Sequence, residues 1–235
     1  MSVPEAVSAV VFDADETVID LRPAVTGALA AVLEEMRRTT PAARGVTLAE
    51  LESDWGAVFG ERAAEPVMEI RRAALARSIA RAGLDAELDR FAELFFARRF
   101  ALSRPFDDTL PTLAALRPHY RLGLATNGNS RAERCGLEGE FAFELYAHVD
   151  GLPKKPAPAF FAAVAEAAGA EPGAIVHVGD TADHDVVAAQ EAGLRAVWLN
   201  RAGHPRPAGL RPDAEIRSLD ELPAVVATLA ASPAR

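Results

Sequence analysis

The spacing of apolar residues changes along the chain and predicts two kinds of segment. Residues 6–12 form a mostly apolar run, which predicts a buried strand. Between residues 21 and 103 the apolar side chains instead recur every three or four positions, which is the period of an amphipathic helix. Examples are Val25, Leu29, Val32 and Met36. No stretch of this second segment predicts a strand.

The segment 21–103 is predicted to form four helices joined by short loops. Pro23 stands near the first helix start, and Thr47 and Glu50 form a capping-box pattern before the second helix. The later helices are defined by Leu51, Trp55 and Val58, by Val67, Ile70, Leu75 and Ile79, and by Leu88, Phe91, Leu94 and Phe95. Amphipathic helices of this length and spacing predict a small bundle.

After Pro105 strands and helices are predicted to alternate. The predicted strands are 120–125, a weaker candidate at 143–148, 175–178, and 195–199 as the last good strand. The predicted helices are 110–116, 131–135, 159–168, 186–192 and a C-terminal helix through Leu229. Residues 200–212 are rich in Gly, Pro and Arg and predict a loop.

This order of elements predicts an α/β fold, with a Rossmann-like, mostly parallel sheet flanked by helices. Residues 1–20 and 104–235 are predicted to form the core domain, and residues 21–103 an inserted helical bundle that acts as a cap. Ligand sites in open parallel sheets lie beyond the carboxyl ends of the strands. Five residues are predicted to meet at that edge: Asp13, Asp15, Thr126, Asn127 and Asp180.

Charge and composition argue against several classes of partner. The chain has 235 residues and a net charge of −9, which argues against a nucleic acid polymer or an anionic membrane surface as its partner. Cys135 is the only cysteine, so no intrachain disulfide can form. We expect a soluble, cytoplasmic protein, because neither a basic leader nor an apolar run of membrane-spanning length is visible.

Two carboxylates, Asp13 and Asp15, directly follow the first predicted strand. Their charges repel each other at such close range, so a cation is expected beside them. Mg²⁺ is the natural candidate, since it prefers carboxylate, carbonyl and water oxygens. The alternative at this point is that the two acids only cap a turn after the strand.

Four motifs occur in order along the chain, each at a strand end or in a loop. They are Asp13-x-Asp15-x-Thr17, then Thr126, then Lys155-Pro156 followed by Pro158 and Phe161, and finally Gly179-Asp180 with Asp185 downstream. Together they resemble the motifs of the haloacid dehalogenase-like hydrolases, and the resemblance covers essentially the whole chain. The helical insertion after the first strand is similar to the α-helical cap of that family.

The resemblance implies a phosphatase rather than a dehalogenase, because the phosphatases of the family have an acid at the position of Asp15. In such an enzyme Asp13 is the covalent nucleophile, and Asp15 protonates the leaving oxygen and later activates water. Mg²⁺ is held by Asp13, the Asp15 carbonyl and Asp180, and it lets the anionic nucleophile approach the anionic phosphate. Thr17 has a supporting role.

The resemblance also implies a phosphate-binding group. Thr126, the loop at Asn127 and a lysine hold the phosphate, and Asp185 orients the lysine or the metal shell. The segment from the motif's glycine to its proline is one residue longer than usual. Aligning the motif on the glycine assigns the role to Lys154, and aligning it on the proline assigns it to Lys155. We prefer Lys155, because Pro156 fixes the backbone beside it.

The implied partner is a small phosphorylated metabolite, and the chain is expected to be a monomer or a homodimer. Residues 12–17, 179–182 and 198–200 resemble those of bacterial pyrimidine 5′-nucleotidases, which favours a nucleoside 5′-monophosphate. The alternatives are phosphoglycolate or a sugar phosphate as substrate, a phosphotransferase or mutase, and a binding protein without turnover. His177 and Trp198 are predicted to be core residues, and Cys135 a buried small hydrophobe.

Overall fold

The computed structural model describes residues 6–149 and 151–232. The chain divides into two compact units. The core unit comprises Met1–Ile19 and Pro105–Arg235, and the helical unit comprises Asp20–Arg104.

The strands are β1 (Ala9–Phe12), β2 (Ile19–Asp20), β3 (Arg104–Pro105), β4 (Arg121–Thr126), β5 (Phe143–Tyr146), β6 (Ile175–Gly179), β7 (Arg195–Leu199) and β8 (Ala214–Ile216). The α-helices are α1 (Leu21–Thr39), α2 (Leu48–Arg62), α3 (Val67–Ala80), α4 (Leu88–Leu102), α5 (Thr109–Leu116), α6 (Pro158–Ala168), α7 (Ala188–Glu191) and α8 (Leu222–Ala230). Within the described residues, no helix combines the length and the apolar character needed to cross a membrane.

The described part of the core unit is built on a six-stranded sheet in the order β5-β4-β1-β6-β7-β8. Every neighbouring pair is parallel, and β1 lies between β4 and β6, with Val11 opposite Gly123 and His177. All four residues of β1 are buried, as expected for a strand that is covered on both faces. The predicted α/β fold is therefore confirmed.

The prediction that residues 195–199 form the last strand is wrong, because β8 follows at the edge of the sheet. This strand is only three residues long and lies directly after a segment rich in Gly and Pro, so it carries no readable period. The helix predicted at 186–192 also begins earlier. A π-helical turn, Ala182–Val187, precedes α7 and carries Asp185.

The helical unit is described throughout and contains α1 to α4, with short 3-10 turns at Pro41–Gly45 and Asp85–Glu87. Its main core is formed by apolar side chains from α1, α3 and α4, among them Leu29, Met36, Ile79 and Phe91. The predicted capping box is present: Thr47 N–H donates to Glu50 Oε2 at 2.8 Å, and Glu50 N–H donates to Thr47 Oγ1 at 3.3 Å.

Candidate active site

The carboxyl ends of β1, β4 and β6 surround a small cavity in the core unit. Its volume is about 180 Å³. It is lined by Asp13, Asp15, Thr126, Asn127, Gly128, Lys155, Asp180, Thr181, His184 and Asp185. This is the edge at which a parallel sheet presents its ligand site, and it brings together every predicted site residue except Thr17.

The ammonium of Lys155 lies at the centre of the polar contacts in this cavity. Its Nζ donates to Asp13 Oδ1 at 2.7 Å, to Asp185 Oδ1 at 2.6 Å and to the Ala125 carbonyl at 3.1 Å. The side chain of Lys155 is only 2% exposed. Lys154, by contrast, is half-buried and does not line the cavity. The structure thus places Lys155 in the site.

Asn127 fixes the backbone of Lys155. Its Nδ2 donates to the Lys155 carbonyl at 2.9 Å, and the Lys155 N–H donates to Asn127 Oδ1 at 2.7 Å. These two bonds link the loop after β4 to the lysine segment, 28 residues later in the chain. The side chain of Asn127 therefore positions the lysine. The backbone N–H groups of the Asn127 loop are left to bind a ligand.

Negative charge exceeds positive charge at the centre of the cavity. Among the described residues, Asp13, Asp180 and Asp185 place carboxylate oxygens within 4.8 Å of one another, beside the single ammonium of Lys155. Burial raises the pKa of Asp13 to about 8 against the lowering effect of Lys155, and burial also raises the pKa of Asp180 to about 6. A divalent cation would relieve this repulsion, and carboxylate oxygens are suitable ligands for one.

Asp185 is held in place from three directions. It accepts hydrogen bonds from Lys155 and from Thr181 N–H, the latter at 3.0 Å, and it lies 3.1 Å from His177 Nε2. Gly179 makes room for it, because a Cβ there would lie 2.3 Å from Asp185 Cγ. Burial alone would raise the pKa of Asp185, but the Lys155 ammonium and the hydrogen bond from His177 lower it.

His177 is buried in β6, as predicted, but it is more than a core residue. A carboxylate can only accept, so Nε2 carries the proton in its contact with Asp185. Burial lowers the pKa of His177, which keeps the ring neutral. No local signal reveals this role, because Asp185 reaches His177 only through the turn that follows β6.

Asp15 contacts a residue that no sequence motif identified. The buried Ser130 hydroxyl donates to Asp15 Oδ1, from a position 115 residues later in the chain. The other oxygen, Oδ2, lies where Gly128 leaves room, since a Cβ on Gly128 would be 2.3 Å away. Gly128 N–H donates to Thr126 Oγ1 at 3.0 Å. The two candidate catalytic acids thus have different surroundings.

Thr17 is buried but does not line the cavity. Its carbonyl accepts a hydrogen bond from Arg201 Nη2 at 2.9 Å, and Arg201 also pairs with Asp108 at 2.7 Å. Arg201 was not identified from the sequence. Trp198, which was predicted to be core, is 5% exposed and donates from Nε1 to the Asp180 carbonyl at 2.8 Å. Both contacts fix backbone beside a site carboxylate.

Comparisons with known proteins match most of the chain. A sequence profile of the haloacid dehalogenase-like hydrolases matches residues 7–193. The chain is 34% identical to 5-amino-6-(5-phospho-D-ribitylamino)uracil phosphatase YigB of Escherichia coli over 206 residues, which cover 82% of this chain and 83% of that protein. It is 30% identical to pyrimidine 5′-nucleotidase YjjG of E. coli over 144 residues, 59% of this chain. That match spans 64% of the nucleotidase, less than two thirds of its length.

A solved structure extends the comparison to the fold. The crystal structure of a 2-haloacid dehalogenase from Pseudomonas syringae pv. Tomato superposes with a TM-score of 0.78 and 34% identity, over 94% of this chain and 99% of that one. The fold and the site define a hydrolase with a parallel, Rossmann-like sheet and paired aspartates at the end of its central strand. The chain belongs to the haloacid dehalogenase-like hydrolase family.

Proposed function

We propose that this protein is a phosphatase that hydrolyses a small phosphomonoester through a phosphorylated Asp13. The observation that carries this proposal is the pair of carboxylates after β1. Asp13 contacts the Lys155 ammonium, whereas Asp15 lies against the Ser130 hydroxyl. Two acids with different surroundings suit two different tasks, attack on phosphorus and proton transfer.

In the first step an oxygen of the Asp13 carboxylate forms a bond to phosphorus. The bond from phosphorus to the leaving oxygen breaks, and that oxygen receives the proton of the Asp15 carboxyl group. In the second step the Asp15 carboxylate takes a proton from water, whose oxygen attacks phosphorus. The bond to Asp13 breaks, and phosphate is released with the enzyme in its original state.

The cation in this proposal is Mg²⁺. The carboxylates of Asp13 and Asp180 and the backbone carbonyl of Asp15 would hold it, with Asp185 close by. When bound, it would neutralise charge between the anionic nucleophile and the anionic phosphate. Lys155, Thr126 and the backbone N–H groups of the loop at Asn127 would hold the phosphate oxygens, since they line the same cavity.

Two substrate classes have support from the comparisons. The motif around Glu16, together with the match to the E. coli nucleotidase, favours a nucleoside 5′-monophosphate. The longer match to the E. coli ribitylaminouracil phosphatase favours a phosphorylated sugar or sugar alcohol. A second candidate function is dehalogenation, because the P. syringae dehalogenase has the same fold at 34% identity. Asp15 favours the phosphatase, since a haloacid has no leaving oxygen to protonate.

The decisive experiment is a release screen on the purified full-length chain. Nucleoside monophosphates, sugar phosphates and phosphoglycolate are assayed for phosphate, and 2-haloacids for halide, each with Mg²⁺ and after removal of divalent metals by chelation. We expect phosphate release that falls at least a hundredfold after chelation and returns when Mg²⁺ is added. Halide release without phosphate release would identify the protein as a dehalogenase and contradict the proposed phosphatase function. Phosphate release that is unaffected by chelation would show that the reaction does not require the metal.

Gly128→Ala should impair turnover through Asp15. The new Cβ would lie 2.3 Å from Asp15 Oδ2, so the carboxylate must turn away from the position that Ser130 supports. We expect kcat/KM for the best substrate to fall at least tenfold, or about 1.4 kcal/mol in barrier. The matched control is Gly56→Ala in α2, where a Cβ meets nothing within 4 Å. Equal activity of both variants would count against a catalytic role for Asp15.

We also propose that residues 21–103 act as a cap that selects the substrate. The helical unit has a hydrophobic core of its own, which makes its exchange between relatives feasible. Replacing residues 21–103 with the matching segment of the E. coli nucleotidase should move the substrate ranking toward that of the nucleotidase, because the core motifs address mainly the phosphate. Circular dichroism and thermal melting confirm folding of the chimera. An unchanged ranking in a folded chimera would argue against the cap role.

A further inference from the structure

Arg71 lies buried inside the helical unit beside two aromatic rings. It belongs to α3 and is 8% exposed. Its Cζ lies 3.9 Å from the ring centroid of Trp55 and 4.9 Å from that of Phe95. Stacking of this kind occupies the face of a guanidinium but leaves its N–H donors, which point outward in the plane, available for an acceptor.

The charge of Arg71 has no counter-ion among the described residues. The other arginines in α3 and at its C-terminal end each pair with a carboxylate: Arg72 with Asp89, Arg77 with Glu61 and Arg81 with Asp54. Asp54 immediately precedes Trp55, but its oxygens accept from Arg81 and from the Ser78 hydroxyl. Arg71 is thus both the most buried of these arginines and the one left without an acid.

The charge of a second buried arginine acts on Arg71. Arg99, in α4, is 3% exposed. Burial lowers the pKa of Arg71 to about 10, and the charge of Arg99 acts in the same direction. A buried cation without a counter-ion is costly to a fold, and aromatic rings compensate only part of that cost. An anion that reached Arg71 would therefore find donors and charge already in place.

We propose that Arg71 is the centre of an anion-binding site in the helical unit, which takes a carboxylate or phosphate oxyanion beside the rings of Trp55 and Phe95. The planar guanidinium can bind two oxygens of such a group at once. The rings hold the guanidinium in one orientation, so little side-chain freedom is lost when the anion binds. The competing explanation is that Arg71 only packs its stem and extends its tip into water.

The direct test is a titration of the full chain with sulfate at constant ionic strength. The readout is tryptophan fluorescence, because Trp55 contacts Arg71, and every chain in the comparison carries Trp198→Phe so that the other tryptophan, beside Asp180, gives no signal. We expect a saturable change in the wild-type chain and at least tenfold weaker apparent affinity in Arg71→Met, which keeps the stem length. Arg77→Met is the matched control on the same helix, where Arg77 forms an exposed ion pair, and it should titrate like the wild type.

Identical titrations of the wild type and Arg71→Met would overturn the proposal and leave the packing explanation. If Arg71→Met does not fold, Arg71→Lys replaces it in the comparison. Lysine keeps the charge but loses the planar fork, so we expect its affinity to be reduced by about tenfold. A lysine variant that binds sulfate as tightly as the wild type would overturn the stacked-guanidinium site.

A second measurement identifies the source of the anion, and this part alone rests on the proposed phosphatase function. KM is compared for phosphoglycolate, which carries a carboxylate, and for a phosphomonoester without one. A KM increase in Arg71→Met confined to phosphoglycolate assigns the site to a second acidic group of the substrate. Loss of sulfate binding in Arg71→Met with both KM values unchanged assigns the Arg71 site to a free oxyanion. Because the titration needs no turnover, a failed phosphatase assay leaves it interpretable.

Discussion

Replacing Asp13 with asparagine is expected to abolish phosphate release while the chain stays folded. The amide is nearly the same size as the carboxylate but is a poor nucleophile, so the covalent step has no attacking group. We expect kcat to fall by about a thousandfold or more, which corresponds to about 4 kcal/mol in barrier. The measurement is phosphate release by the purified variant with the best substrate at saturating Mg²⁺.

Folding should survive this change because of the charge balance in the cavity. Three carboxylates crowd around the Lys155 ammonium, and Lys155 keeps its 2.6 Å contact with Asp185 when Asp13 becomes neutral. Thermal unfolding of Asp13→Asn should therefore resemble that of the wild type. Asp107→Asn, an exposed acid of the core unit, is the matched control and should keep full activity. Retention of more than about a few per cent of activity in Asp13→Asn would remove Asp13 from the nucleophilic role.

The positions of the strands could be predicted because their apolar runs are continuous and end in polar residues. Asp13, Thr126 and Asp180 each follow or end such a run, and parallel pairing brings these ends together at one cavity. Strand β8 could not be predicted, since three residues cannot display a period and its burial depends on pairing with β7.

The residues that position the site were harder to predict than the site itself. Ser130 contacts Asp15 across 115 residues, and Arg201 contacts Thr17 across 184. Neither lies in a motif, and a single serine or arginine in a loop has no distinguishing pattern. His177 looked like a core residue because its strand is apolar, and only the placement of Asp185 by the π-helical turn gives it a partner. Contacts between distant segments decide these roles, and local sequence does not encode them.

Composition adds an independent argument about the lysine. Lysine and arginine total 25 residues, yet Lys154 and Lys155 are the only lysines in the chain. Arginine serves at every other lysine or arginine position, so the adjacent lysines predict that at least one of these two positions requires an ammonium. The structure supplies the physical reason at Lys155. Its Nζ is a point charge surrounded at 2.6 to 3.1 Å by oxygens of Asp13, Asp185 and Ala125.

Lys155→Arg is therefore expected to lose at least tenfold in kcat/KM, about 1.4 kcal/mol, although the exchange is usually regarded as conservative. A planar guanidinium donates from a wide fork and cannot place one nitrogen among these three acceptors. It is also larger, and overpacking a buried position costs about 1–3 kcal/mol of stability, so activity is measured well below the melting temperature of each variant.

Lys154→Arg is the matched control, because it makes the same chemical change one residue away at a half-buried position outside the cavity. We expect it to lose much less activity than Lys155→Arg. If Lys154→Arg were the damaged variant, the lysine that acts on the substrate would be Lys154, and Lys155 would only hold the carboxylates apart. If neither variant changed, the requirement for an ammonium would fail, since a guanidinium would then serve at both positions.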